Sequence, residues 1–175
     1  YENYDHPVQQ RIRDMAGRFL DLDISALDWA PDGCAVPNYA LPLENLARGY
    51  ARLHAAPTGL EAACQQLCDA WRARPDLVAG SERFDTAIML ATDGAILSKG
   101  GVEGVQAAVI PDKGFGIAVK ALDGAGRAAE QVMASLLAAQ AGLDLNSGEL
   151  AKHWPDAYRL VLNARGDEVG AVRVT

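Results

Sequence analysis

Apolar residues return at helical spacing from the first turns of the chain. Val8, Ile12, Met15 and Phe19 follow Pro7, whose missing N–H is no loss at a helix start, and the spacing predicts an amphipathic helix over residues 7–20. Pro42 opens a second helix with Leu43, Leu46, Tyr50 and Leu53 on one face. Thr58 and Glu61 have the spacing of a capping box for a third, with Leu60, Cys64, Leu67 and Trp71 as its buried stripe. Between the first two, the stretch from Trp29 to Asn38 is dense in Pro, Gly and Asp and has no sustained period, which reads as an ordered loop.

Residues 82–92 keep a helical pattern through Phe84, Ile88, Met89 and Ala91, and the period changes at Asp93-Gly94. Three extended runs follow, Ala95 to Leu97, Val105 to Ile110 and Phe115 to Leu122, the last two joined by the turn Pro111-Asp112-Lys113-Gly114. Ala129, Val132, Met133, Leu136, Leu137 and Gln140 predict a helix over 126–141, stopped by Gly142. Tyr158 to Leu162 and Glu168 to Val174 flank Asn163-Ala164-Arg165-Gly166-Asp167 as a terminal hairpin. Helices, then a small antiparallel sheet, then a helix returning onto it make an α+β fold, and the absent βαβ rhythm excludes a doubly wound parallel sheet. No repeat or linker divides residues 1–175.

Composition narrows the function classes. Sixteen Lys and Arg against 23 Asp and Glu give a net charge of -7, without the basic face that nucleic acid requires. No apolar stretch reaches the roughly 20 residues of a membrane span, and Tyr1-Glu2-Asn3-Tyr4-Asp5 is not the start of a secretory signal, so the cytoplasm is the expected compartment. The cysteines Cys34, Cys64 and Cys68 lack the paired spacing of a structural zinc site and read as reduced thiols. Cys64 and Cys68, four apart on a helix, have the geometry to chelate a metal, but without a third ligand nearby they read as buried hydrophobes.

The segment Lys99-Gly100-Gly101-Val102-Glu103-Gly104 is the most informative for chemistry. Glycines around a lysine at a strand entrance let a ligand or another backbone come close. A lysine desolvated by apolar neighbours becomes a proton acceptor for a hydroxyl nucleophile; the alternative is a surface turn lysine. Glu103 is either a holder of a substrate amino group or an exposed strand-entry acid. Asp32-Gly33-Cys34 offers a carboxylate and a thiol on either side of a glycine, though Cys34 as a nucleophile would need a base and no histidine is near in sequence. His6 is placed as a helix cap, while His54 and His153 read as packing or surface residues. Ser25, Ser81, Ser98, Ser135 and Ser147 include no Ser-x-x-Lys, so no nucleophile is evident.

Taken in order, Asp5-His6-Pro7-Val8-Gln9, Asp32-Gly33-Cys34-Ala35-Val36-Pro37 with Pro42-Leu43-Glu44-Asn45-Leu46-Ala47, Arg83-Phe84-Asp85-Thr86, the Lys99 to Val105 segment and Gly116 to Gly124 resemble the bacterial asparaginase II family of the Rhizobium etli type. The resemblance implies a fold like that of serine β-lactamases and serine-dependent glutaminases, with Lys99-Gly100-Gly101 on the strand edging the active site. It implies hydrolysis of L-asparagine to L-aspartate and ammonia through a serine acyl-enzyme. Lys99 is then the catalytic lysine; Asp32, Gly101 and Glu103 bind substrate; Cys34 contributes to a zinc site, although the chemistry requires no cofactor. Lys120 and Asp123 match a run expected to form a supporting ion pair.

The chain departs from the family at two places. A cysteine of the Rhizobium type is replaced by Asp85, and the family's serine-containing segments and Cys-Ser-Gly-Lys-His motif would lie upstream of Tyr1. The expectation is therefore a C-terminal half of the catalytic domain, partnered by the N-terminal half of the same enzyme, with a homodimer as the expected assembly and a small amide as ligand. The competing readings are a glutaminase-like amidase, a β-lactamase-like hydrolase of other acyl groups, and a non-catalytic binding module that retains the fold.

Overall fold

A computed structural model describes residues 1–154 and 160–174 of the chain. Helix α1 spans Pro7–Leu20, and the His6 side chain caps it by accepting the Val8 N–H at 3.2 Å. The strands β1 (Trp29–Pro31) and β2 (Pro37–Tyr39) form a small antiparallel hairpin. Helices α2 (Leu43–Ala51), α3 (Glu61–Ala73), α4 (Pro75–Ala79) and α5 (Phe84–Ala91) lead to the central sheet. That sheet has β3 (Leu97–Gly100), β4 (Val105–Ile110) and β5 (Phe115–Lys120) in sequential antiparallel order. Helices α6 (Gly126–Ala141) and α7 (Gly148–His153) follow, then the hairpin of β6 (Leu160–Leu162) and β7 (Glu168–Ala171). The α+β class is as expected.

Strand pairing decides which side chains share a face, because successive residues of a strand point to opposite sides. Lys99 stands opposite Ala107, and Ala107 opposite Ala118, so the three form one row across the sheet. Leu97, Val109 and Gly116 form the neighbouring row on that face. Helix α2 crosses there so closely that a Cβ on Gly116 would overlap the Ala47 carbonyl and the Ala51 amide. Leu97 and Val109 pack with Cys68 and Met89, and Tyr50 from α2, Leu53 from the segment after it and Trp71 from α3 cover them.

The opposite face carries the larger core. Ala108, Ile110 and Ile117 meet Phe84, Ile88, Met133, Leu137, Leu150 and Trp154 from α5, α6 and α7. The Phe84 and Trp154 rings meet edge to face, with centroids 4.9 Å apart. Among the described residues, no helix is long and apolar enough to cross a membrane.

Several local expectations need correction. The stretch from Trp29 to Asn38 is a hairpin rather than a loop: Pro31 and Pro37, paired beside the turn, concealed it, and they are tolerated because among the described residues each strand has one partner. Thr58 makes no capping box, since Leu60 is the N-cap of α3 and provides no side-chain hydrogen bond. The buried positions of α3 are Cys64 and Cys68, while Leu67 is 42% exposed. Strand β3 begins at Leu97 rather than Ala95. The short helices α4 and α7 have too few turns to show a period. Gly142 does end α6, in the left-handed conformation at φ 70°. The terminal hairpin forms, although the expected strand start at Tyr158 lies outside the described residues.

Candidate active site

Lys99 lies one residue from the end of β3, half-buried, and its Nζ donates to the carbonyl of Gly100. Directly across the sheet, its row holds the small side chains of Ala107 on β4 and Ala118 on β5. Strand β3 is an edge strand, and backbone groups on an edge need some cover. The first turn of α5 supplies it: the Gly100 N–H donates to Asp85 Oδ2 at 2.7 Å.

Asp85 is 6% exposed and was not among the residues expected at the site. Its Oδ1 accepts the hydroxyl of Ser98 at 2.6 Å and a hydrogen bond from Gln106 Nε2, which also reaches Ser98 Oγ at 2.9 Å. Ser98 and Gln106 are buried as well. Burying a carboxylate is costly without donors, and here three converge on it at a helix start, where the backbone dipole favours negative charge. Its charge is felt nearby. Burial first, then Asp85, pushes the Tyr50 hydroxyl up to about 12. The half-buried Glu130 carboxyl is pushed up by the same two causes in the same order, opposed by Arg83 and by a hydrogen bond with Trp154.

The turn after Lys99 explains its glycines. A Cβ on Gly100 would come 2.9 Å from Gln106 Oε1 and 3.3 Å from Asp85 Oδ2. Gly104, at φ 69°, accepts the Ala121 N–H at 2.9 Å, and a Cβ there would stand 2.8 Å from Ala121 Cβ and 3.0 Å from the Gly124 carbonyl carbon. Glu103 is exposed in the left-handed conformation at φ 57°. The Gly101 N–H donates to the Val105 carbonyl at 2.8 Å, so it offers a ligand no free amide, and a Cβ there would come 3.2 Å from Val105 Cβ.

Asp32 and Cys34 lie in the exposed turn of the β1–β2 hairpin. Asp32 Oδ1 accepts the Cys34 N–H at 2.7 Å and the Val36 N–H at 3.3 Å, and Ala35 takes φ 63° to close the turn. Tyr4 stacks on Trp29 at 4.5 Å and carries the Arg13 guanidinium 3.9 Å above its ring, which ties the hairpin to α1. Among the described residues, no hydrogen bond or ion pair joins this turn to the Lys99 strand.

A single family signature spans both of these regions. Residues 1–174 match the family model described as L-asparaginase II. The chain belongs to the L-asparaginase II family. No curated protein matches it. Within this family member, the expected Lys120–Asp123 ion pair is corrected: Lys120 Nζ donates to the Ala121 carbonyl, and Asp123 accepts the Ala125 N–H at 3.0 Å at the start of α6.

Among the described residues, the donors around Cys34 are too few for the expected zinc. Zinc takes four ligands in a structural site and at least three from protein in a catalytic one. Cys34 and Asp32 supply two, one carboxylate oxygen is already held by backbone amides, and no group of three His, Cys, Asp or Glu with metal-binding geometry occurs among the described residues. The residues described here do not by themselves fit a zinc centre.

Proposed function

We propose that the L-asparaginase II chain works as part of an amidohydrolase that converts L-asparagine to L-aspartate and ammonia, with Lys99 as its proton-transfer group. The observation that carries this reading is Lys99 itself: a half-buried amine at the end of an edge strand, beside a row of alanines and a glycine turn, in a chain of this family.

The nucleophile is a serine hydroxyl from polypeptide upstream of Tyr1. The Lys99 amine accepts the hydroxyl proton as the oxygen attacks the carboxamide carbon. The tetrahedral intermediate collapses to a seryl ester, and the lysine returns the proton to the departing ammonia. Water then attacks the ester, aspartate leaves and the serine regains its proton. Glu103, exposed at the turn, and Asp32, whose Oδ2 has no hydrogen-bond partner among the described residues, are carboxylates for the substrate's ammonium. Because Gly100 and Gly101 already spend their N–H groups, oxyanion donors come from the upstream polypeptide or from later amides of the turn.

The test is ammonia release from L-asparagine and L-glutamine by the full-length protein and by the 175-residue chain in parallel. The full-length protein is expected to release ammonia from asparagine and the isolated chain to release none. Absence of amide hydrolysis by the folded full-length protein overturns the reading. One methylene separates the two amides, so a preference for asparagine of roughly 10–200-fold is the range a pocket provides.

A further inference from the structure

We propose that Asp85 is a positioning residue for Lys99, acting through the backbone of Gly100; the inference rests on the amidohydrolase reading and extends it. Gly100 is the link because it is held at both ends. Its N–H donates to Asp85 on the outer edge of β3, and its carbonyl accepts the Lys99 amine. A shift of the Asp85 carboxylate therefore moves the carbonyl on which the lysine amine rests.

The arrangement is more than edge cover. A single donor on an edge strand can be satisfied by water, yet this one is paired with a buried carboxylate whose second oxygen is engaged by Ser98 and Gln106. Gln106 stands directly opposite Gly100 in the strand register, and Ser98 precedes the lysine. Three consecutive residues of β3 are thereby placed by one side chain: Ser98 through its hydroxyl, Gly100 through its amide, and Lys99 through the carbonyl that follows. The helix that carries Asp85 is itself fixed, since the neighbouring Thr86 hydroxyl lies 2.6 Å from the Gly80 carbonyl and 3.1 Å from the Pro75 carbonyl. A side chain at position 100 would enter the space of Gln106 Oε1 and Asp85 Oδ2 and displace them from their present positions.

The test compares wild-type full-length protein with Asp85→Asn and with Gly142→Ala, a substitution that strains the distant end of α6 and serves as the control for lost stability. Asp85→Asn is expected to lower kcat for asparagine by roughly 10–100-fold, the scale of a misplaced catalytic group, with KM within about twofold. Reaction of lysines with acetic anhydride, read by peptide mass spectrometry as the ratio of Lys99 to Lys152, should rise at least about threefold in Asp85→Asn as the amine loses its fixed acceptor, and should not change in Gly142→Ala. An unchanged labelling ratio, or kinetic changes in Asp85→Asn that match those of Gly142→Ala, overturns the proposal. Should the wild-type protein hydrolyse no amide, the amidohydrolase reading fails, while the labelling ratio still decides whether Asp85 places the lysine. Should Asp85→Asn not fold, hydrogen exchange of the wild-type Gly100 amide decides: protection like that of the β4 amides is expected, and exchange at the rate of a free strand edge overturns the link.

Discussion

The two glycine-containing turns that carry the family signature are built on opposite physical plans. The turn after β3 stands on a buried polar network: Asp85, Ser98 and Gln106 are nearly inaccessible, and every hydrogen bond among them fixes the strand from which Lys99 rises. The turn between β1 and β2 is fully exposed from Asp32 to Ala35 and is held by its own backbone and by one carboxylate oxygen. The first is preorganised by the core and can hold an amine in one place without a ligand. The second has its shape locally, and Tyr4 and Arg13 anchor it to the N-terminal helix region. Proton transfer needs the first kind of support, since its geometry must be set before substrate arrives. A carboxylate that meets a charged substrate end tolerates the second.

Substitutions of equal size should therefore cost far more at one turn than at the other. The largest effect is expected at Gly104. Gly104→Val must accept φ 69° and a clash with Ala121 and Gly124, and should lose about 2–4 kcal/mol of stability, read from the urea midpoint. A loss below about 0.5 kcal/mol would show that the 101–104 turn is not fixed by the segment beneath it.

Alkaline pH probes the same scaffold. The Tyr50 hydroxyl titrates near 10 in an unfolded chain and about 12 in the folded one, so the folded state holds its proton more tightly. Stability from this group is complete below pH 10 and falls as pH rises from 10 to 12, by up to about 2–3 kcal/mol. Tyr50→Phe should flatten that part of the stability–pH curve in denaturant melts; an unaltered slope would contradict the assignment.

At the exposed hairpin the effects shrink. Tyr4→Ala removes the stack on Trp29 and should cost about 0.5–1.5 kcal/mol, with limited proteolysis moving to residues 29–39 while the central sheet stays protected. The smallest effect is expected for Cys34→Ser, within about 0.5 kcal/mol of wild type by thermal melt, because an exposed thiol buries nothing. A large loss at Cys34 would make the hairpin a structural partner of the core and erase the contrast.

How much of this was legible in the sequence follows from where each signal resides. Helices α1, α2, α5 and α6 and strands β4 and β5 have apolar periods long enough to read, and His6 and Gly142 mark helix ends by their local chemistry. Lys99 stood out as a candidate because Gly100 and Gly101 follow it and the surrounding run resembles the family. Asp85 was not: an acid in the first turn of a helix reads as an ordinary dipole partner, and its donors lie 13, 15 and 21 residues away. Gln106 within an otherwise apolar strand was the available hint, since a buried amide must find a partner. The β1–β2 hairpin was hidden by Pro31 and Pro37, which argue against strands unless both are known to be edges. That no hydrogen bond or ion pair joins the Asp32 turn to the Lys99 strand among the described residues has no counterpart in local pattern.

The most direct measurement is the rate of ammonia release from L-asparagine by the full-length protein with Lys99 replaced by Met, alongside a circular dichroism melt of the same sample. The account predicts that kcat falls by at least about 10²–10⁴-fold, the contribution of a positioned proton-transfer group, while the melting curve keeps its cooperative form. Turnover within a fewfold of wild type in a folded Lys99→Met protein would contradict it.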